Sequence, residues 1–395
     1  MTTDLITALR NTHLIMHDMA EQLSDADYRT QYHQDLSPFG WHVGHCVFTE
    51  SYWLRDVILN DDTISKQFDW LYVPENILKP ARGPALPPID EHLHWCEKLA
   101  DENFTIFSKP PVKLMQHSLN KKNYILKFLI QHHSQHIETM AMVLAQRQLQ
   151  LKPMLTVTRP IVANDNVSYN FQHYAGGNFS VGSPMEPEAF DNELPPQNIT
   201  LQQFLLADSP VSNGDWLAFI NDGGYQNKKY WSDAGWQWCE EAEITQPESW
   251  VRDTSGNFYE ILATGAIELN SSAALSGISY FEATAFVNWL RKKIKPYSRV
   301  RLPHEYEWEV ADKSNALPQS GEAWEWCENS FHPYPGFSAF PYDNYSKPWF
   351  NNNHFSLKGG SKYTQPCIRR SSFRNFYNPD KRHIFSGLRL AMDVD

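Results

Sequence analysis

Apolar residues recur at helical spacing along the first 150 residues of this 395-residue chain. The first amphipathic stretch is built from Leu5, Ile6, Leu9, Leu14, Ile15 and Met19. Three further stretches with the same period cover about 41–59, 90–107 and 123–147. Helices of this length, joined by proline-containing loops, predict a four-helix bundle over residues 1–150.

The hydrophobic pattern changes after residue 150. Residues 151–168 contain two prolines and no sustained period, which predicts a linker. From 169 to 395, short strand-like segments alternate with turns rich in Gly and Pro, and helical periodicity returns at about 212–221 and 280–294. The chain is therefore predicted to be α+β with two domains, the second with long loops and no internal repeat.

Two histidines lie four residues apart in the fourth helical stretch, where residues 131–138 read QHHSQHIE. On a helix, His132 and His136 lie on one face, so both can bind one metal ion. A third candidate, His45, ends the segment GWHVGH of the second stretch. Three histidines without an evident cysteine or carboxylate partner predict a metal with open coordination positions. The alternative is a solvated helix that happens to be rich in histidine.

Composition narrows the class of function. The chain has 34 Lys and Arg against 46 Asp and Glu, a net charge of −12, which argues against a nucleic-acid partner. No apolar run approaches the roughly 18 residues of a membrane helix, and the N-terminus lacks the pattern of a targeting peptide. Five scattered cysteines without a Cys-x-x-Cys pair favour reduced thiols. We therefore expect a cytoplasmic protein with no membrane partner.

Seven ordered blocks in the second half resemble the formylglycine-generating-enzyme (sulfatase-modifying factor) family, which has a C-type-lectin-like fold. The blocks are FDNELP (190–195), PVSNG (210–214), ISYFEA (278–283), RLPHEYEWE (301–309), WEW (324–326), KGGS (358–361) and GLR (387–389). The first half resembles the DinB-like bundles through His45 and the block His132-x-x-x-His136-x-Glu138. Together, in this order, the halves resemble the iron-dependent sulfoxide synthases of ergothioneine biosynthesis (EgtB type) and the related ovothiol and selenoneine synthases.

The resemblance implies an Fe(II) ion held by His45, His132 and His136. It also implies an enzyme that uses O₂ to join a sulfur or selenium donor to the imidazole carbon of hercynine, so that its partners are small molecules. The neighbouring His42 and His133 point elsewhere on their helices and are expected at the surface or behind the ligands. Glu138 lies roughly 200° around the helix from His136 and is expected to be hydrogen-bonded rather than a ligand.

The resemblance also assigns substrate-binding residues. Gln135 occupies the position that bonds the substrate imidazole, although it is equally compatible with a satisfied core amide. Asn375, Phe376 and Tyr377 match the segment that holds the betaine end of the substrate. Aromatic faces suit a trimethylammonium group, which is a cation without N–H donors. Trp41 is a further candidate wall of that site, with core packing as the alternative.

The donor pocket departs from the family pattern. Lys79 and Arg82 correspond to a pair of arginines in the enzymes that use γ-glutamylcysteine, and a pair of cations suits an anionic donor. Tyr377 stands where those enzymes carry an aspartate. The donor is therefore left open among cysteine, γ-glutamylcysteine and a selenosugar.

The proton donor is open for a similar reason. Phe331 stands where the family can place a tyrosine that protonates the metal-bound oxygen. Tyr334 and Tyr72 are the predicted substitutes. Arg369 and Arg370 lie near the substrate segment and are expected to have structural roles.

Three other functions are compatible with parts of the sequence. A DinB-like thiol transferase would use zinc or nickel, and a lectin-like module would bind ligands without catalysis. A formylglycine-generating oxidase needs a close cysteine pair, which Cys327 and Cys367 do not provide.

Overall fold

The computed structural model describes residues 2–164, 166–184, 188–315 and 317–394. These residues form two compact units. The first contains the chain up to Lys152 together with Tyr363–Ile368, and the second contains Pro153–Lys362 and the chain from Arg369 onward. A six-residue segment from the second half of the sequence thus belongs to the first unit, which the sequence did not predict.

The first unit is helical. Its α-helices are α1 (Thr2–Ala20), α2 (Asp25–Arg29), α3 (Phe39–Ser51), α4 (Thr63–Tyr72), α5 (Lys79–Ala85), α6 (Ile89–Ser108), α7 (Val112–Gln116) and α8 (Tyr124–Leu151). A π-helix (Tyr52–Leu59) continues α3, and a 3₁₀ helix (Ser118–Asn123) precedes α8. The predicted bundle is confirmed, with α1, α3 and its π-helical extension, α6 and α8 as the long members. None of the described helices is long and apolar enough to cross a bilayer.

Helix α3 is buried along its whole length. Two glycines one turn apart allow this burial. A Cβ atom at Gly40 would lie 2.3 Å from the ring of Tyr28, and one at Gly44 would lie 2.4 Å from the ring of Tyr72. Both tyrosines therefore pack directly against the backbone of the helix that carries His45.

The second unit combines short strands with helices. Its strands are β1 (Phe171–Tyr174), β2 (Gly177–Val181), β3 (Gln197–Leu201), β4 (Phe204–Ala207), β5 (Trp250–Arg252), β6 (Phe258–Leu262), β7 (Gly265–Glu268), β8 (Val300–Arg301), β9 (Trp324–Ser330), β10 (Phe355–Lys358), β11 (Asn375–Tyr377), β12 (Ser386–Gly387) and β13 (Ala391–Asp393). Its α-helices are α9 (Asn213–Asn221), α10 (Asp233–Glu241), α11 (Tyr280–Lys293) and α12 (Glu305–Asn315). Helices α9 and α11 match the two helical patterns in the sequence. The predicted α+β class with two domains is confirmed.

The strands form small sheets. One has the order β1-β4-β13-β8 and another the order β11-β10-β9-β12, beside the pair β2-β3 and the three-stranded β5-β6-β7. Within the second sheet β12 runs parallel to β9, and β10 is antiparallel to both β9 and β11. Strand β11 carries three of the predicted substrate residues, and its pairing with β10 fixes which side each of them faces.

Buried ion pairs stabilise the loop-rich second unit. They are Arg374–Glu305, Lys358–Glu309 and Arg389–Glu325. Arg374 donates from Nε and Nη2 to the two carboxylate oxygens of Glu305, at 2.8 Å each. Burial raises the pKa of Glu305, but Arg374 outweighs that effect and the net pKa falls to about 2.

Arg374→Met is expected to lower the free energy of unfolding by about 3–5 kcal/mol, because it leaves the Glu305 carboxylate buried without its cation. An acid whose pKa is depressed by folding stabilises the fold above its ordinary pKa of 4.5, and this contribution disappears as the pH falls toward about 2. The difference between variant and wild type should therefore shrink below pH 4.5 in urea unfolding. Arg159→Met, at an exposed arginine, is the matched control and should change stability by about 0.5 kcal/mol or less.

Candidate metal centre

Three histidines converge from α3 and α8. One ring nitrogen from each of His45, His132 and His136 lies within 4.8 Å of the other two. The ring centroids are 4.5 Å apart for His132 and His136, 4.8 Å for His45 and His136, and 5.2 Å for His45 and His132. The three rings therefore form a set of nitrogen donors that can bind one metal ion.

The three imidazoles are neutral at physiological pH. Burial lowers the pKa of His45 to about 4. Burial, reinforced by the neighbouring imidazoles, lowers the pKa of His132 and His136 well below the usual range. A neutral imidazole has a lone pair to offer, and this is the form that binds metals. The donor set therefore fits a divalent transition metal.

The orientation of His45 is fixed by a backbone carbonyl. Its Nδ1 lies 2.8 Å from the carbonyl oxygen of Tyr72. Because a carbonyl only accepts, Nδ1 carries the proton and Nε2 is the nitrogen available to a metal. Trp41 stacks on the His45 ring, with centroids 4.6 Å apart and planes at 11°. The indole N–H of Trp41 donates to the carbonyl of Leu71 at 2.7 Å, and the Arg82 guanidinium lies 4.0 Å from the indole ring.

Two further histidines lie behind the candidate ligands. Nδ1 of His42 is 2.9 Å from Nδ1 of His136, and Nδ1 of His133 is 3.4 Å from Nδ1 of His132. Both residues are buried. The prediction that they lie at the surface is therefore wrong, and the alternative, a position behind the candidate ligands, is what the structure shows. These contacts involve Nδ1 and leave Nε2 of His132 and of His136 available to a metal.

The buried carboxylate of Glu50 contacts one of these histidines. We call His42, His133, His13, Glu50 and Asn103 the second layer, because they lie behind the candidate ligands. Glu50 on α3 accepts from Nε2 of His133 at 2.9 Å and from Nε2 of His13 at 2.5 Å, and Asn103 donates to its other oxygen at 3.2 Å. Burial raises the pKa of Glu50, but His13 and His133 outweigh burial and bring it to about 2. Because His133 contacts the candidate ligand His132, Glu50 acts on that ligand through His133 rather than directly. This network was not predicted from the sequence, although a carboxylate inside the apolar run after His45 was a signal for it.

Other predicted residues of the first unit have defined positions. Gln135 is half-buried on α8 beside His136, and Glu138 accepts from the Thr364 hydroxyl at 2.8 Å. Thr364 belongs to the segment Tyr363–Ile368, so that segment is tied to α8 near the candidate ligands. Glu138 is therefore hydrogen-bonded, as expected.

The two predicted cations differ in exposure. Lys79 is half-buried, and its ammonium donates to the carbonyl of Asp35 at 2.7 Å. Arg82 is buried and donates to the Ser37 hydroxyl at 2.5 Å and to the Pro74 carbonyl at 2.8 Å. Burial lowers the pKa of Arg82 to about 10, which leaves it charged at neutral pH.

In the second unit, Asn375, Phe376 and Tyr377 are half-buried on β11. Phe376 stacks on Phe331 with centroids 4.1 Å apart. Phe331, which stands at the expected tyrosine position, is thus part of an aromatic stack with the predicted substrate segment. The side-chain oxygen of Asn375 accepts from the Phe376 backbone N–H at 2.9 Å.

The two predicted proton donors are buried tyrosines, one in each unit. Tyr72 has its hydroxyl 2.6 Å from Nε2 of His92. Tyr334 packs its ring 4.3 Å from the Arg374 guanidinium. Burial raises the pKa of both hydroxyls above the usual range, so both keep their protons at neutral pH.

Comparison with known proteins agrees with this architecture. Residues 8–140 match the DinB superfamily, and residues 170–319 and 316–394 match the sulfatase-modifying factor enzyme 1-like domain. The hercynine oxygenase of Mycolicibacterium smegmatis is 29% identical over 94% of this chain and 95% of its own length. The hercynine oxygenase of Mycobacterium tuberculosis is 30% identical over 69% of this chain and 72% of its own length. Ergothioneine biosynthesis protein 1 of Schizosaccharomyces pombe is 25% identical over 51% of this chain and 27% of its own length.

Fold and site together define a two-domain protein, in which a DinB-type bundle with a three-histidine cluster is followed by a sulfatase-modifying-factor-like domain. The chain belongs to the hercynine oxygenase family, the EgtB type that the sequence blocks indicated.

Proposed function

We propose that this protein is an Fe(II)- and O₂-dependent enzyme that joins a sulfur or selenium donor to the imidazole carbon of hercynine. The observation that carries the proposal is the neutral, largely buried set of His45, His132 and His136. It is supported by relatives named hercynine oxygenases that align with nearly the whole chain.

The donor set suits iron. Imidazole nitrogens bind Fe(II) as well as zinc, copper and nickel, and three ligands on one side leave positions for substrates. Iron held by His45, His132 and His136 would supply O₂ activation. The Tyr72 carbonyl, His42 and His133 contact Nδ1 of His45, His136 and His132, respectively, so Nε2 of each ring would face a bound metal. Donors held in this way would favour reaction between pre-positioned partners.

Hercynine has an imidazole at one end and a betaine at the other. We assign its imidazole to Gln135, next to the ligand His136. The family resemblance alone supports Asn375 for its carboxylate and Phe376 and Tyr377 for its trimethylammonium group, a cation that suits aromatic faces. Trp41 is already stacked on His45, so we assign it to holding that ligand in place.

Lys79 is only half-buried, so we assign it as the cation that would meet the carboxylate of cysteine or γ-glutamylcysteine if either is the chalcogen donor. Arg82 is buried and donates to Ser37 and to backbone carbonyls, so it supports the loop beside Lys79. Tyr334 and Tyr72 are the candidate proton donors. Both hydroxyls keep their protons at neutral pH, which a proton donor requires.

The test is mass spectrometry of the products of Fe(II)-loaded protein given hercynine, O₂ and a mixture of cysteine, γ-glutamylcysteine and a selenosugar. The expected product is a hercynine adduct carrying one of these donors, which also identifies the donor. Protein loaded with Zn(II) is the matched control and should give no adduct, because zinc has no redox chemistry. Iron-containing protein that gives no adduct and consumes no O₂ would contradict the proposal and favour a thiol transferase.

A further inference from the structure

His92 bridges two buried tyrosines in the bundle. Its Nδ1 lies 2.8 Å from the hydroxyl of Tyr28, and its Nε2 lies 2.6 Å from the hydroxyl of Tyr72. All three side chains are buried. A neutral imidazole has one N–H donor and one acceptor, so one tyrosine donates to the ring and the other accepts from it. His92 therefore satisfies both hydroxyls and fixes the distance between them.

The two tyrosine rings are seated on the helix that carries His45. Tyr28 lies against Gly40, and Tyr72 lies against Gly44, one helical turn further along α3. Any Cβ atom at these glycines would approach the rings to 2.3 Å and 2.4 Å, which leaves no space for a larger residue at either position. The bridge through His92 thus holds two successive turns of α3 from outside.

Tyr72 also contacts the candidate ligand directly. It is the last residue of α4, where the carbonyl groups of a helix have no partner within the helix. Its carbonyl accepts from Nδ1 of His45 at 2.8 Å, and the preceding carbonyl, of Leu71, accepts from the indole of Trp41 at 2.7 Å. The residue whose side chain is held by His92 therefore orients His45 with its main chain.

We propose that His92 is a positioning residue for the metal centre. By bonding Tyr28 and Tyr72 it keeps the C-terminal end of α4 against α3, and so directs Nε2 of His45 toward the metal. This inference rests on the proposed metal centre, in which His45 is a ligand.

The first test is His92→Phe, studied by titrating metal-free protein with Co(II), whose visible absorption reports the ligand geometry. Phenylalanine keeps the ring that packs beside Trp95 but lacks both nitrogens. Loss of an outer partner of a metal ligand lowers metal affinity by about 10–100-fold, and we expect about tenfold here because His92 acts through Tyr72. His94→Phe, an exposed position on the same helix, is the control and should bind Co(II) like the wild type.

A second variant separates positioning from stability. His92→Phe leaves two buried hydroxyls unpaired, which lowers stability by itself. The triple variant Tyr28→Phe, Tyr72→Phe, His92→Phe removes those hydroxyls and should recover much of that stability. If His92 positions the site, the triple variant should bind Co(II) about tenfold more weakly than the wild type, as His92→Phe should. The Co(II) absorption bands of both variants should also be shifted from those of the wild type. Recovery of wild-type affinity together with stability would overturn the inference.

The inference and the proposed function fail in different ways. If wild-type protein binds Co(II) tightly and His92→Phe binds it equally tightly with the same spectrum, His92 does not position the site, while the proposed function stands. If wild-type protein binds no metal at this site, the metal centre itself is wrong, and the inference is overturned with it.

Discussion

His132→Ala is expected to release the metal and to abolish product formation. Only two of the three imidazole donors would be left, one from each helix, since His132 and His136 share α8 and His45 comes from α3. Loss of an outer partner already lowers affinity by about 10–100-fold, so loss of a direct ligand should lower it by at least the upper end of that range. Iron analysis after gel filtration and the hercynine assay measure the two effects.

The matched control is His173→Ala, at an exposed histidine on β1 of the second unit. It removes an imidazole of the same kind and should leave iron content and product formation unchanged. If His132→Ala retained a full equivalent of iron, the metal would be bound elsewhere and the three-histidine centre would be wrong. If it lost iron but still formed the adduct, the metal would not take part in the reaction.

Two of the candidate ligands could be predicted from the sequence because the features that mark them are close together along the chain. The four-residue spacing of His132 and His136 places both on one face of any helix, and the apolar period around them predicts a helix. His45 needed the further step that the second and fourth helices both face the bundle core. The sequence blocks of the second half identified the family, and they did so through turns and buried polar residues that periodicity alone does not interpret.

The second layer around Glu50 could not be predicted from the sequence, because the residues that contact each other there are far apart along the chain. Glu50 meets His13 across 37 residues and His133 across 83. A helical pattern shows which residues are buried, but a buried carboxylate can be satisfied by any of several donors. The same holds for the segment Tyr363–Ile368, whose place in the first unit depends on contacts such as Thr364 to Glu138, 226 residues apart.

Trp41 shows how one residue can satisfy two interpretations. Its sequence position, one turn before His45, fitted both a substrate wall and core packing. The structure places its ring parallel to His45 and its N–H on the Leu71 carbonyl. These contacts limit the rotation of the His45 ring, so the indole packs in the core and acts on the candidate metal centre through the candidate ligand His45.

The second large effect is expected for Glu50→Gln, which keeps the shape of the side chain and removes its charge. In the wild type, the two carboxylate oxygens accept hydrogen bonds from His13, His133 and Asn103. In the variant an NH₂ group would replace one of these oxygens and would face an N–H donor instead of accepting from it. Breaking a buried charged network of this kind lowers the free energy of unfolding by about 3–5 kcal/mol. Because His133 lies against His132, metal affinity should also fall by about 10–100-fold.

Urea unfolding and metal titration of Glu50→Gln separate these effects, with the exposed Glu97→Gln on α6 as control. The pKa of Glu50 is about 2 against an ordinary 4.5, so its carboxylate stabilises the fold above pH 4.5 and progressively less as the pH falls toward 2. The stability gap between wild type and variant should therefore be full at pH 7 and smaller at pH 4. An equal gap at both pH values would mean that shape, rather than charge, sustains the network, and unchanged metal affinity would separate Glu50 from the metal centre.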